Sequence, residues 1–244
     1  ELLFTGNYHF FVLGDLIAEG NPEDSIFFDR NPGSSKWMGL VLKNCSNLTK
    51  LDFVRISNSQ GAAANEFKGG GLKVKSSDVT ISNTRINNNH TSGHGGGINT
   101  ESSHVIIKNL VIEGNHANQN GGGVYFSGGV GVAELDNVQI LNNYTGSEGS
   151  GLHRNSGTVI LVNSLIEGNH TGNSSAVHGG GGGELRIVNS SIVNNIRDAG
   201  NDCWAQWCTA SGSGEIYNCD TGLCVGDGES CCQCDSCLSF AAGT

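Results

Sequence analysis

The residues able to do chemistry are unevenly placed in this 244-residue chain. Eight of its nine cysteines fall in one short stretch: Cys203, Cys208, Cys219, Cys224, Cys231, Cys232, Cys234 and Cys237. So many thiols in a segment too small for its own apolar core suggest four disulfides, with the pairing open. A zinc reading starts from Cys234-x2-Cys237, but zinc knuckles usually present two separated Cys-x2-Cys pairs, so disulfides are preferred. Cys45 is left over, either free or bonded to the tail or to a partner. His90, His116 and His170 fall in one register with Tyr144. Stacked imidazoles can bind a metal, but no carboxylate or cysteine joins this register, so they read as exposed turn residues and no metal site is assigned. Glu113 and Glu167 share a second register with Leu141 between them. Two coils apart at ~4.8 Å each, they would be about 10 Å from one another, near the upper limit for an inverting acid pair.

These registers exist because the sequence repeats. Lys68-Gly-Gly-Gly-Leu72 recurs as His94-Gly-Gly-Gly-Ile98, Asn120-Gly-Gly-Gly-Val124 and Gly149-Ser-Gly-Leu152. Asn83, Asn109, Asn137, Asn163 and Asn189 are spaced 26, 28, 26 and 26, and six residues after each stands Asn89, Asn115, Asn143, Asn169 or Asn195. Between them apolar residues alternate with the period of a strand. The stacked columns are Val79, Val105, Ala133, Val159, Leu185; then Ile81, Ile107, Leu135, Leu161, Ile187; then Ile86, Ile112, Ile140, Ile166, Ile192. Three short strands per unit, like above like, predict one coil of a parallel β-helix. A βαβ solenoid and a leucine-rich horseshoe are disfavoured, since no helix pattern and no leucine-dense consensus interrupts the strands.

Composition agrees. The 38 glycines serve turns where positive φ is needed, and the asparagine columns can stack as amide ladders. The Asn83 column continues the inward alternation and is expected inside, with Asp52 in its first position; the Asn89 column is expected at the turn. Two prolines exclude collagen. A net charge of −10 with 13 Lys and Arg argues against nucleic acid, and no apolar stretch is long enough to span a membrane. The chain begins at Glu1 without a signal-peptide pattern, which reads as a processed protein or a fragment.

The order Gly14-x-Leu16-x-Ala18-x-Gly20, Ile26-x-Phe28, Trp37-x-Gly39-Leu40, then Asn-x5-Asn coils resembles the secreted right-handed parallel β-helix repeat proteins. The Gly-Gly-Gly-[ILV] and Ile-x-x-Asn pairs also resemble the glycine-rich and Phe-x-x-Asn repeats of chlamydial polymorphic outer-membrane proteins, with Ile in place of Phe. The resemblance covers residues 10 to about 197 and implies an extracellular or surface setting, without an activity. Enzymes of this fold that cut polysaccharides use calcium-holding carboxylates or an acid pair on an exposed sheet. By alternation, the outward strip of the glycine-rich strand is Lys73, Lys75, Asn99, Glu101, Tyr125, Ser127, His153 and Asn155. It holds one carboxylate, Glu101. Gly93-His94-Gly95 matches the Gly-His-Gly tripeptide of the polygalacturonases, but the aspartate pair that should precede it is missing.

The expectation is therefore an all-β, right-handed parallel β-helix over residues 1–200, about 26 residues per coil, with a cysteine-rich, disulfide-bonded tail over 201–244. Its expected role is a non-enzymatic structural or adhesive module of a cell-surface or filamentous assembly, secreted, needing no cofactor. Self-association or other extracellular proteins and glycans are its expected partners. The alternatives are a lyase or glycoside hydrolase, or a glycan-binding module using Lys73, Lys75, Asn99, Glu101, Tyr125 and His153. Sequons at Asn44, Asn47 and Asn173 lie off both asparagine columns and are the expected glycan sites. The sequon at Asn189 is expected inside and unmodified, while those at Asn89, Asn143 and Asn169 stay open.

Overall fold

The structure, a computed structural model, describes residues 1–34, 36–61, 69–128, 131–172, 174–197, 205–206, 216–219 and 222–225, the last three stretches as backbone alone. It is an all-β solenoid of about seven turns, with no helix among the described residues. Each strand pairs in parallel with its counterpart one coil away, so Leu72 lies beside Ile98 and Ile98 beside Val124. Three sheets of eight, fifteen and six strands form the walls. In one coil, Leu72–Lys75 lies on the eight-stranded sheet, Asp78–Ser82 and Arg85–Asn87 on the fifteen-stranded sheet, and His90–Thr91 on the six-stranded sheet.

The expected apolar columns are the core. Ile56, Ile86, Ile112, Ile140, Ile166 and Ile192 are fully buried one above another. Each such side chain stabilises by roughly 1.5–3 kcal/mol relative to exposure. Six identical side chains in succession stack closely, because the strand spacing matches the width of one aliphatic layer. At the N-terminal end the layer changes to aromatics. Phe4 stacks on Trp37 at 4.5 Å, Phe10 on Phe28 at 5.8 Å, and the Trp37 Nε1–H donates to the Ser57 carbonyl at 2.8 Å. These rings fill the core of the first coils.

The asparagine columns are the reverse of the expectation. Asn83, Asn109, Asn137, Asn163 and Asn189 are exposed, and Asn89, Asn115, Asn143, Asn169 and Asn195 are buried. The cause is backbone hand. Asn83 has φ 47°, and its counterparts 47–56°, in the left-handed region that asparagine tolerates. A left-handed residue reverses the pleat by one step, so after buried Ile81 the next buried residue is Thr84, not Asn83. A second left-handed residue, at Asn58, Asn88, Gly114, Asn142, Gly168 or Asn194, repeats the reversal and turns the following residue inward, Ser59 in the first of these coils and an asparagine in the other five. Asp52 is likewise one place off: Phe53, φ 50°, occupies the bend, and Asp52 pairs with Ser82.

At the far end, the backbone of Ala205–Gln206 pairs in parallel with Val177–His178, and Ile216–Cys219 with Ser190–Ser191. Ile216–Cys219 then forms an antiparallel hairpin with Gly222–Val225.

Candidate functional site

The outward strip of the eight-stranded sheet is in register as expected: Lys73, Asn99, Tyr125, His153 and His178 follow one another coil by coil. Its exposure is not as expected. Lys73 is 5% exposed, Asn99 2%, Tyr125 9% and His153 2%. The glycine turn before each strand folds back over the strip. A Cβ at Gly95, Gly121 or Gly149 would lie only 2.8, 2.8 or 2.7 Å from the Cβ of Asn99, Tyr125 or His153. These three glycines also have φ of 66–74°, so the roof needs glycine for both space and hand. Alternation states which side of a strand a residue faces; it is silent on a loop that returns over that side.

Under the roof the side chains form a continuous stack. The His94 ring lies 4.4 Å from Tyr125, Tyr125 lies 5.1 Å from His153, and His153 lies 4.8 Å from His178, all within 18° of parallel. His94 reaches this stack from the turn. Its carbonyl accepts from Asn99 Nδ2 at 2.9 Å, and its Nδ1 accepts from the Asn120 amide at 3.2 Å. The Gly-His-Gly tripeptide thus carries a packing role in the described structure. Toward the N-terminal end, Lys73 Nζ donates to Asn99 Oδ1 at 2.7 Å and to Glu101 Oε2 at 3.1 Å, while Lys75 Nζ lies 3.2 Å from Glu101 Oε1. Burial opposes ionisation of Glu101, but the two ammonium groups outweigh it and hold the carboxyl below its usual range. A carboxylate so clamped is a poor proton donor. Lys75 and Glu101 keep part of their surface in solvent.

At the other end of the stack the fold assembles a group that the spacing did not announce. Glu148, on the turn before Gly149, approaches His153 and His178. Glu148 Oε2 is 4.0 Å from His153 Nδ1 and 3.5 Å from His178 Nε2. Burial, with His178 and His94 adding to it, pushes His153 down to about 3, so the imidazole is neutral at physiological pH. His178 is lowered by burial as well, against the opposing charge of Glu148. The available signal was the His153-x24-His178 interval, one coil long, with Glu148 on the turn that precedes His153; glycine turns of this repeat lie over the following strand.

The other candidates separate. His90, His116, Tyr144 and His170 do form one half-buried column on the six-stranded sheet, edge to face at 4.7, 4.7 and 5.4 Å. Burial, then the His90 charge, lowers His116. Glu113 and Glu167 flank Leu141 as expected, but Glu113 is paired with Arg85 and Glu167 accepts from Asn194 Nδ2 at 3.0 Å. Of the sequons, Asn44 and Asn47 are exposed and Asn173 lies outside the described residues. Asn189 is exposed too, whereas Asn89, Asn143 and Asn169 are buried in the amide ladder. The expected disulfide set lies outside the described residues, apart from the backbone of Cys219 and Cys224. Cys45 is buried and has no disulfide partner among the described residues.

The fold and these registers define a parallel β-solenoid repeat protein. A scan against protein-family models finds no match, and neither a search of curated proteins nor one of solved structures finds a similar chain. No helix among the described residues is long and apolar enough to cross a membrane.

Proposed function

We propose that this chain is a non-enzymatic structural or adhesive β-helix module of an extracellular, cell-surface or filamentous assembly. The carrying observation is the regular coil-on-coil stacking of three parallel sheets, whose first rung bears apolar side chains on its edge. Leu2–Phe4, Phe10–Leu13 and Ile17–Glu19 are the outermost strands of their sheets, and among the described residues each pairs on one side only. Leu3, Leu13 and Ile17 stand exposed on this rung. A strand edge bearing apolar side chains is a template for a further strand, so this rung is suited to take another strand beside it. The roofed strip and the clamped Glu101 support the same reading, since neither offers a polysaccharide an open face with a free acid. The glycine-rich and Ile-x-x-Asn pairs, through their likeness to polymorphic outer-membrane repeats, support the surface setting.

The test is light scattering and negative-stain imaging of the purified chain beside Leu13→Lys/Ile17→Lys, with polysaccharide assays in parallel. The expected result is end-to-end association lost in the double variant with unchanged circular dichroism. A strictly monomeric, non-adherent wild type overturns the proposal. So does turnover of an acidic or neutral polysaccharide that disappears on changing Glu101, or Glu113 and Glu167, which would restore the lyase or hydrolase reading.

A further inference from the structure

The cluster at the C-terminal end of the ring stack carries an inference independent of that role. His153 is buried, and its Nδ1 has no hydrogen-bond partner. Buried imidazole nitrogens are ordinarily satisfied, and this one faces the Glu148 carboxylate across 4.0 Å, too far for a hydrogen bond. His178 Nε2 faces the same oxygen from 3.5 Å. The three ligand atoms lie within 4.8 Å of one another. Donors placed tetrahedrally around a zinc-sized ion at its usual bond lengths are ~3.4 Å apart. The Glu148–His178 edge already has that length, and a short inward movement closes the other two.

We propose that Glu148, His153 and His178 form a binding site for a borderline divalent transition metal of the zinc type. Two imidazole nitrogens and one carboxylate oxygen suit such an ion and not calcium or magnesium, which require sets of oxygens. Three protein ligands leave one position to solvent, on the side where Glu148 and His178 reach the surface with 40% and 12% of their side chains exposed. Arg154 is the nearby opposing charge; its Nη1 donates to the carbonyls of Gly157 and Gly182 at 3.4 and 3.0 Å, and at His178 the Glu148 charge acts against it.

Binding has a geometric consequence. An imidazole lone pair lies in the ring plane, and the His153 and His178 rings are stacked 9° from parallel. Two stacked rings cannot address one point, so coordination turns one of them. His153 is sandwiched between Tyr125 and His178, whereas His178 is the last ring of the stack and is followed by Gly179 and Gly180. His178 is the ring that turns, and metal entry unstacks it.

The experiment uses the full chain, treated with EDTA and with free thiols blocked by iodoacetamide to silence the cysteine tail. It is titrated with Zn2+ by calorimetry and with Co2+ by visible absorption, with Ca2+ and Mg2+ as comparisons. The expected result is one equivalent of Zn2+, a tetrahedral Co2+ spectrum and weaker or no binding of Ca2+ and Mg2+. Glu148→Gln and His178→Gln should each weaken Zn2+ by about tenfold or more, while His116→Gln, in the other histidine column, leaves it unchanged. Imidazole NMR signals of His153 and His178 should move on addition of Zn2+. No binding at millimolar Zn2+, binding unaffected by both variants, or binding lost in His116→Gln instead overturns the proposal. Both tested ligands are partly exposed, and Glu148→Gln leaves all four rings of the stack in place.

Discussion

Two asparagine columns run along this solenoid with the same period and opposite physics. The inner column is a closed network. Asn143 Nδ2 donates to Asn169 Oδ1 at 2.9 Å and to the Ile112 carbonyl at 3.0 Å, and its Oδ1 accepts from the backbone and side-chain amides of Asn115, both at 2.9 Å. The outer column is a single file in solvent. Asn109 Nδ2 donates to Asn83 Oδ1 at 3.0 Å, and Asn137 Nδ2 to Asn109 Oδ1 at 2.9 Å. Carboxylates enter it: Asn83 Nδ2 donates to Asp52 and Asn163 Nδ2 to Asp136, each at 2.9 Å. Inside, asparagine is required for its four hydrogen-bonding positions. Outside, it is required for its tolerance of left-handed backbone. The same contrast of enclosed and open columns separates the His153 stack from the His90–His116–His170 column.

The strongest way to break the comparison is Asn143→Ala. It strands the two Asn115 amides and the Ile112 carbonyl away from water, at ~1–3 kcal/mol for each orphaned group. The expected loss is about 3 kcal/mol or more in urea unfolding, and a loss no larger than that of an outer asparagine would dissolve the distinction. Next is acid. His153 is held near 3 when folded and titrates near 6.5 when unfolded. The unfolded chain therefore binds the extra proton between those values. This contribution to stability is complete above pH 6.5 and falls as pH drops, by about 3 kcal/mol at pH 4. His178 and His116, also lowered, act in the same direction. His153→Phe keeps a ring in the stack and removes the proton, so its stability should change less between pH 6.5 and 4 than that of the wild type.

Asn137→Ala keeps the outer position but forces alanine to φ 56°, costing roughly 1–2 kcal/mol. The neighbour of the most sensitive residue should be among the least sensitive. Asn142→Gly, at a bend that Gly114 and Gly168 occupy one coil away on either side, should stay within about 0.5 kcal/mol. Finally, glycopeptide mass spectrometry of chain made through a secretory pathway should find no sugar on Asn89, Asn143 or Asn169, with Asn44, Asn47 and Asn189 open to it. Occupancy at Asn143 would place that column outside.

Much of the fold was legible because a solenoid stacks like on like: the isoleucine column of residues 86 to 192 could be read as one surface before any strand was placed. The inner ladder was misplaced because strict alternation carries Asn83 inward, and alternation has no term for a left-handed residue. A local signal was present, since each inner asparagine from Asn89 on directly follows an asparagine or glycine, as in Asn88-Asn89 and Gly114-Asn115. Glu148 was missed because its reach depends on how far a turn folds back, which is a matter of contact between a turn and a strand rather than of spacing.

By itself, the sequence determined the period, the parallel stacking and the apolar columns, because a repeat of 26 residues has one way to bury every aliphatic layer at once. The tertiary structure alone decided which asparagine faces inward, that the outward strip is roofed, and that Glu148 meets His153 and His178. Asparagine and glycine accept either backbone hand at little cost, so the choice passes to the coils above and below, where an unpaired amide is costly and a paired one is not.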